Sequence, residues 1–345
     1  MMSSPEKSLA RTIRNADLAR LSTFALPARA DELVVLEHPE QLHQLSATDQ
    51  PQLVLGDGSN TVFLADWPGR VLLVRFKGID IENRTASEVV IHVGAGENWH
   101  RLVRLCINKG LHGLENLVMI PGSAGAAPIQ NIGAYGVELS DVVESVTAWD
   151  WQQNALVRIK QDQCGFGYRD SRFKSADRGR YLITGISLRL QRKFESQTSY
   201  QSLADELQRV GHQHPDSRQL AAAVMRLRRH RLPDPARLAN AGSFFKNPVV
   251  DAEFARRLRH DNAGLPCWPM ADGKVKLGAG WMIERLGLRG HTLGKAGVYK
   301  NHALVLVNHG QATPKEIRSL IELITAAVHA EFGITLEPEP ELIGY

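Results

Sequence analysis

The chain has 345 residues, 43% hydrophobic and 23% charged, a globular composition with ample material for a core, and at roughly 100–200 residues per domain it holds two or three domains. A formal charge of +4, dispersed along the chain, suits an anionic small substrate and excludes a dedicated nucleic-acid binder. No apolar run of about 18 residues is present to span a membrane, the start lacks a signal-peptide core, and three distant cysteines (Cys106, Cys164 and Cys267) argue for a reducing cytosol and against a disulfide framework or a zinc site. No metal is expected.

The first ~15 residues read as a loose extension. Residues 31–37 (DELVVLE), 52–56 (QLVLG) and 70–76 (RVLLVRF) are short apolar runs bounded by turn residues, each predicting a buried strand. A short helix is expected over 38–44. VVIHVGAG, 89–96, predicts a further strand. It leads into a helix on which Trp99, Leu102, Val103 and Cys106 share one face and which Gly110 closes. This β-α-β-β-β-α order indicates an α+β or α/β fold. Residues 141–159 alternate like antiparallel strands, and 181–190 form another strand. A charged helical stretch, 216–230, ends at the LPDP turn of 232–235, where two prolines break the chain. Near the C-terminus Thr313, Pro314 and Glu316 make a helix start, Ile317, Leu320, Ile321, Ile324 and Val328 its apolar face, and Gly333 its end. The tail, ITLEPEPELIGY, is expected to be a final strand.

Glycine-rich stretches carry the first hints of chemistry. In LGDGSNTVF, 55–63, Gly56 and Gly58 let backbone amides approach an anion, although a plain tight turn explains the same residues. IPGSAGAAPIQNIGAYG, 120–136, is too poor in bulky side chains to build a core and can press its backbone against a flat or phosphorylated ligand. VGAGENWH, 93–100, serves equally as a fold turn. None matches the Rossmann glycine pattern, which implies a different dinucleotide cradle. FGYRDSRFK, 166–174, concentrates Tyr168, Arg169, Asp170, Ser171 and Lys174. In NAGSFFKNP, 240–248, Ser243 stands before two phenylalanines that can shield it from water, as a proton donor requires. No G-x-S-x-G elbow surrounds it, which argues against an acyl-enzyme nucleophile.

LGDGSN, GAGENWH, PGSAGAAPIQNIGAYG, GYRDSRFK, NAGSFFKNP and LEPE, in this order, resemble the flavoprotein UDP-N-acetylenolpyruvoylglucosamine reductases from about residue 20 to the end. The intact GAYG loop and the tyrosine-bearing insert near 195–205 are similar to the larger of that family's two subtypes. The resemblance implies an α+β protein. A two-subdomain FAD-binding fold of the PCMH/vanillyl-alcohol-oxidase type would be joined to a third, α+β substrate-binding domain. Its expected division is an extension over 1–19, FAD-binding subdomains over 20–88 and 89–215, and a substrate domain over 216–333, with 334–345 rejoining the first subdomain.

The resemblance further implies FAD and NADPH as cofactors, a UDP-sugar as substrate, and a cytoplasmic monomer. The catalytic arginine falls on Arg169, the protonating serine on Ser243 and the glutamate on Glu339. The FAD cradle falls on Leu55, Gly56, Gly58, Ser59, Asn60, Ile120, Pro121, Gly122, Gly125, Ala126, Ile129, Asn131, Gly133, Ala134, Tyr135 and Ile183. Substrate contacts fall on Tyr200, Arg231, Asn247 and His302. Arg231 stands where some members carry lysine, Ala126 and Ala127 where some carry serine, and His302 where others carry glutamine. An FAD-dependent oxidase of the same architecture and a non-catalytic flavin- or nucleotide-binding module are the competing readings.

Overall fold

A computed structural model describes residues 9–45, 50–270 and 272–345. The chain separates into two compact units. The first comprises residues 1–16, 30–57 and 68–228, and the second 17–29, 58–67 and 229–345.

Among the described residues, the first unit contains the short pairing of Gly133–Ala134 with Val137–Glu138 and two larger sheets. One orders its strands Arg11–Asp17, Arg29–Leu36, Trp67–Val74 and Gln52–Leu55, the last two parallel with Leu55 opposite Leu73. The other has five strands, in the order Ala155–Lys160, Val143–Asp150, Tyr181–Gln191, Glu88–Gly94 and Ile79–Arg84, antiparallel throughout. The helix Trp99–Asn108 starts where the Asn98 side chain accepts the Arg101 amide, and it buries Trp99, Leu102, Val103, Cys106 and Ile107. Those positions fall on one stripe of a 3.6-residue turn, and each buried side chain is worth roughly 1.5–3 kcal/mol. The expected helix over 38–44 is a 3-10 turn, Pro39–Gln44, whose start is pinned by Gln41 accepting the amides of Glu37 and His38.

Two expectations need correction. The N-terminal segment is not loose throughout: Arg11–Asp17 is a strand of the four-stranded sheet. Ala16 is its one buried residue, so no apolar alternation announces it. The C-terminal tail is a strand only over Glu341–Ile343, because Pro338 and Pro340 have no amide to give a ladder.

In the second unit, Glu341–Ile343 pairs in parallel with Thr61–Phe63. A four-stranded sheet orders Ala239–Ser243, Val305–Asn308, Ala296–Val298 and Thr292–Leu293, and a smaller one orders Val249–Asp251, Lys274–Leu277 and Cys267–Pro269. The helix Pro314–Phe332 has the predicted cap, with Thr313 accepting the Glu316 amide, Glu316 returning to the Thr313 amide, and Gly333 ending it in the left-handed region. Its face of Ile317, Leu320, Ile321, Ile324 and Val328 is buried with Phe24, Leu26, Val62 and Leu64. No helix among the described residues is long and apolar enough to cross a membrane.

Candidate active site

Within the first unit, the glycine stretches pack against one another. A Cβ on Gly56 would stand 2.4 Å from the Ser123 Oγ, and one on Gly125 would stand 2.5 Å from the Ala95 Cβ. Gly125 donates its amide to the Ala95 carbonyl at 2.8 Å. Arg75 fixes the turn after Gln52–Leu55 by donating to the Gly56 carbonyl at 2.9 Å and by lying 3.6 Å from the Asp57 carboxylate. Among the described residues, the amides of Gly56 and Asp57 meet no acceptor. Ile120, Ile129, Ala134 and Tyr135 are partly exposed beside the core, whereas Leu55 and Ile183 are core residues whose side chains face inward.

The long loop is tied to the turn that carries Arg169. Ser171 Oγ donates to the Ile129 carbonyl at 2.7 Å, Asn131 Nδ2 to the Gly167 carbonyl at 3.2 Å, and Arg169 Nη2 to the Gly133 carbonyl at 2.8 Å. The turn is closed by reciprocal bonds between Gly167 and Asp170. Arg169, Asn131 and Tyr135 have φ of 54°, 42° and 51°, a conformation that costs non-glycine residues of order 1–3 kcal/mol and is tolerated where the surroundings over-determine it. Arg169 also lies over the Tyr168 ring. Tyr135 meets Tyr200 edge-to-face, with ring centroids 5.5 Å apart.

Sequence reasoning missed Arg228. Its Nε is buried without a hydrogen-bond partner. Burial holds its pKa below the usual guanidinium range; Tyr135 pulls the other way, and the neighbouring charge of Arg169 adds a smaller lowering. An unsatisfied cation beside a second cation is a site prepared for an anion.

The second unit holds the other candidates. Ser243 ends the strand Ala239–Ser243 at a bulge. The register with Val305–Asn308 slips between Asn240 and Ser243, and Gly242 takes φ 74°. Such bulges re-aim a side chain. Asn240, also unforeseen, builds the bulge. It is 1% exposed, accepts the Gly242 amide at 2.9 Å, and donates to the carbonyls of Leu238 and Pro233. Phe244 and Phe245, next to Ser243, are buried. The acidic tail lies alongside them, with Glu339 donating its amide to the Phe244 carbonyl at 2.8 Å and Asn60 Nδ2 donating to the Glu339 carbonyl at 3.2 Å. Gly58, Ser59 and Asn60 belong to this unit.

Arg231 and His302 are brought together here. Burial, then the Arg231 charge, lowers the His302 pKa from 6.5, against a smaller pull from Glu284. Leu304 donates its amide to His302 Nδ1 at 3.3 Å, so the neutral ring carries its proton on Nε2. Asn247 accepts the Ala279 amide with its Oδ1 at 3.1 Å.

The model of an FAD binding domain matches residues 34–159, and that of the UDP-N-acetylenolpyruvoylglucosamine reductase C-terminal domain matches residues 234–343. A UDP-N-acetylenolpyruvoylglucosamine reductase of Chromobacterium violaceum is 43% identical over 334 residues, which are 95% of this chain and 98% of the relative. One from Azoarcus sp. is 44% identical over 337 residues, covering 95% and 97%. This chain belongs to the UDP-N-acetylenolpyruvoylglucosamine reductase family. A crystal structure of the enzyme from Thermus caldophilus aligns over 97% of this chain and 98% of its own, with TM-score 0.66 and 27% identity.

The reductase fold is therefore an FAD-binding domain joined to the family's C-terminal domain, with mixed helix and strand. The first unit fits that cofactor. The free amides of Gly56 and Asp57 suit a diphosphate, and the small, partly exposed groups of the 120–135 loop suit a flat ring.

Proposed function

We propose that this chain uses NADPH and bound FAD to reduce the enolpyruvyl ether of UDP-N-acetylglucosamine enolpyruvate, giving UDP-N-acetylmuramate for peptidoglycan precursor synthesis. The supporting observation is the Ser243 bulge, with Glu339 bonded to the backbone of the very next residue. An alcohol oxidase or a non-catalytic flavin- or nucleotide-binding module has no use for a serine re-aimed by a bulge to which the acidic tail is bonded.

FAD, held by the 55–60 and 120–135 segments, would supply the hydride chemistry between NADPH and the substrate's double bond. The residues manage charge and protons. Addition at the far carbon pushes negative charge onto the substrate carboxylate. Arg169, held rigid through Gly133, and the unsatisfied Arg228 favour that charge. Ser243 gives a proton to the carbon bearing the ether oxygen, and Glu339 acts on the same intermediate. Arg231 and the Nε2–H of His302 bind the substrate's anionic portion, with Asn247 and Tyr200 as further contacts. The 55–60 and 120–135 segments hold the FAD. We place the enzyme in the cytoplasm, as a monomer.

Turnover in deuterated water is the test. With ordinary NADPH, one deuterium enters UDP-N-acetylmuramate at the ether-bearing carbon. Oxygen consumption driven by an alcohol, with no response to the enolpyruvyl sugar, would support the oxidase reading instead.

A further inference from the structure

The segment between the strand Tyr181–Gln191 and the helix Gln201–Arg209 has no regular structure, yet it carries Tyr200 at its end. Its backbone must be held by something other than a ladder if that tyrosine is to meet a ligand in a fixed place. Asn116 is the buried polar group that does so. It is 3% exposed and sits in the short 3-10 turn Glu115–Leu117. Its Nδ2 donates to the Tyr135 carbonyl at 2.9 Å and to the Gln197 carbonyl at 2.9 Å. One amide group thus joins the left-handed corner of the glycine loop to the segment three residues before Tyr200.

Neighbouring contacts locate both ends of this bridge. Glu115 holds the turn itself, accepting from His112 Nδ1 and from the Gly113 amide, each at 2.8 Å. His112 in turn meets the Phe194 ring at 5.4 Å. At the far end, Gly136 has φ 84°, and a Cβ there would lie 3.2 Å from the Ser199 Oγ, so glycine lets the segment close onto the loop. The Tyr135–Tyr200 edge contact follows directly.

We propose that Asn116 is a positioning residue that fixes Tyr200 against the 133–136 corner, and that it sets affinity for the UDP-sugar rather than the chemistry. This rests on the assignment of Tyr200 as a substrate contact. Free of Asn116, the 192–200 segment loses its tie to the loop and must be ordered by the incoming substrate, which weakens binding.

Asn116→Asp tests this, since it keeps the side-chain shape and removes both donors. Loss of two buried hydrogen bonds predicts a KM for the UDP-sugar about tenfold higher or more, with kcat within about twofold. Trypsin cleavage after the exposed Arg192 and Lys193 should accelerate, and saturating UDP-sugar should restore protection. If the aspartate variant does not accumulate as folded protein, Asn116→Ser, which keeps one donor, should give an intermediate KM. Combining either variant with Tyr200→Ala should add little to the KM of Tyr200→Ala alone. An unchanged KM, or a fall in kcat with KM constant, in the Asn116 variant while Tyr200→Ala raises KM would overturn the positioning role alone. An unchanged KM in Tyr200→Ala would instead remove the Tyr200 assignment, and this proposal with it.

Discussion

Replacing Gly125 with alanine sets a methyl 2.5 Å from the Ala95 Cβ, 3.0 Å from its Cα and 3.2 Å from its carbonyl oxygen. Carbon atoms rest at about 3.5–4.0 Å, so the two backbones must part by about 1 Å. Neither partner is a flexible side chain that could swing aside. The separation also strains the 2.8 Å bond from the Gly125 amide to Ala95. Overpacking of this kind costs about 1–3 kcal/mol and a lost hydrogen bond about 1 kcal/mol more, a sum below the total stability of a typical domain. The variant should therefore fold, with a lowered Tm, and bind FAD about tenfold more weakly or worse, because the displaced turn lies within the 120–135 loop assigned to the flavin. Titration of FAD into the apoprotein, followed by the quenching of flavin fluorescence, measures this. Gly110→Ala is the control. Gly110 also lies in a turn, with φ 65°, but a Cβ there meets no atom within 4 Å, so that variant should lose about 1 kcal/mol of stability and retain FAD affinity. Wild-type FAD affinity in Gly125→Ala would refute the claim that glycine is present to bring this loop close.

Ser243→Ala should leave flavin reduction by NADPH intact and slow the sugar-dependent half-reaction by about 10²-fold or more, read by rapid mixing. His302 is held neutral in the fold, while the unfolded chain takes up its proton near pH 6.5. The unfolded state binds more protons below that value, so stability falls as pH drops from about 6.5 towards the lower folded pKa. His302→Gln should flatten that part of a denaturant-midpoint profile. Glu206, bonded to Arg209 at 2.8 Å and Arg226 at 2.6 Å, has its pKa lowered from 4.5 to about 2 by these partners. Its stabilisation is complete above pH 4.5 and is lost as pH falls towards 2. Glu206→Gln should lower stability at neutral pH and remove that acid-side dependence, as measured by thermal melts across the range.

What could be read from the sequence depended on how local each signal was. The helix Pro314–Phe332 was legible because its cap, apolar stripe and terminal glycine all lie within one window. The strand Arg11–Asp17 was not, because an exposed strand without apolar alternation leaves no periodic trace. The grouping of residues 17–29 and 58–67 with the C-terminal unit was invisible for another reason. It depends on Phe24, Leu26, Val62 and Leu64 joining a core made mostly of residues beyond 240. At the site, Arg169 and Ser243 stood out within dense motifs. Arg228 lies in the run RLRRHR, which reads as a solvated helical face, and only the fold shows its Nε to be buried without a partner. Asn240 and Asn116 act through carbonyl groups, for which side-chain pattern gives no sign.

The central claim is that one bound flavin links NADPH to an enolpyruvyl sugar. Under anaerobic conditions, the purified protein should lose its yellow absorbance on addition of one equivalent of NADPH. It should regain that absorbance when UDP-N-acetylglucosamine enolpyruvate is added, with UDP-N-acetylmuramate formed in equal amount. Flavin that stays reduced until air is admitted, with no sugar product, would contradict it.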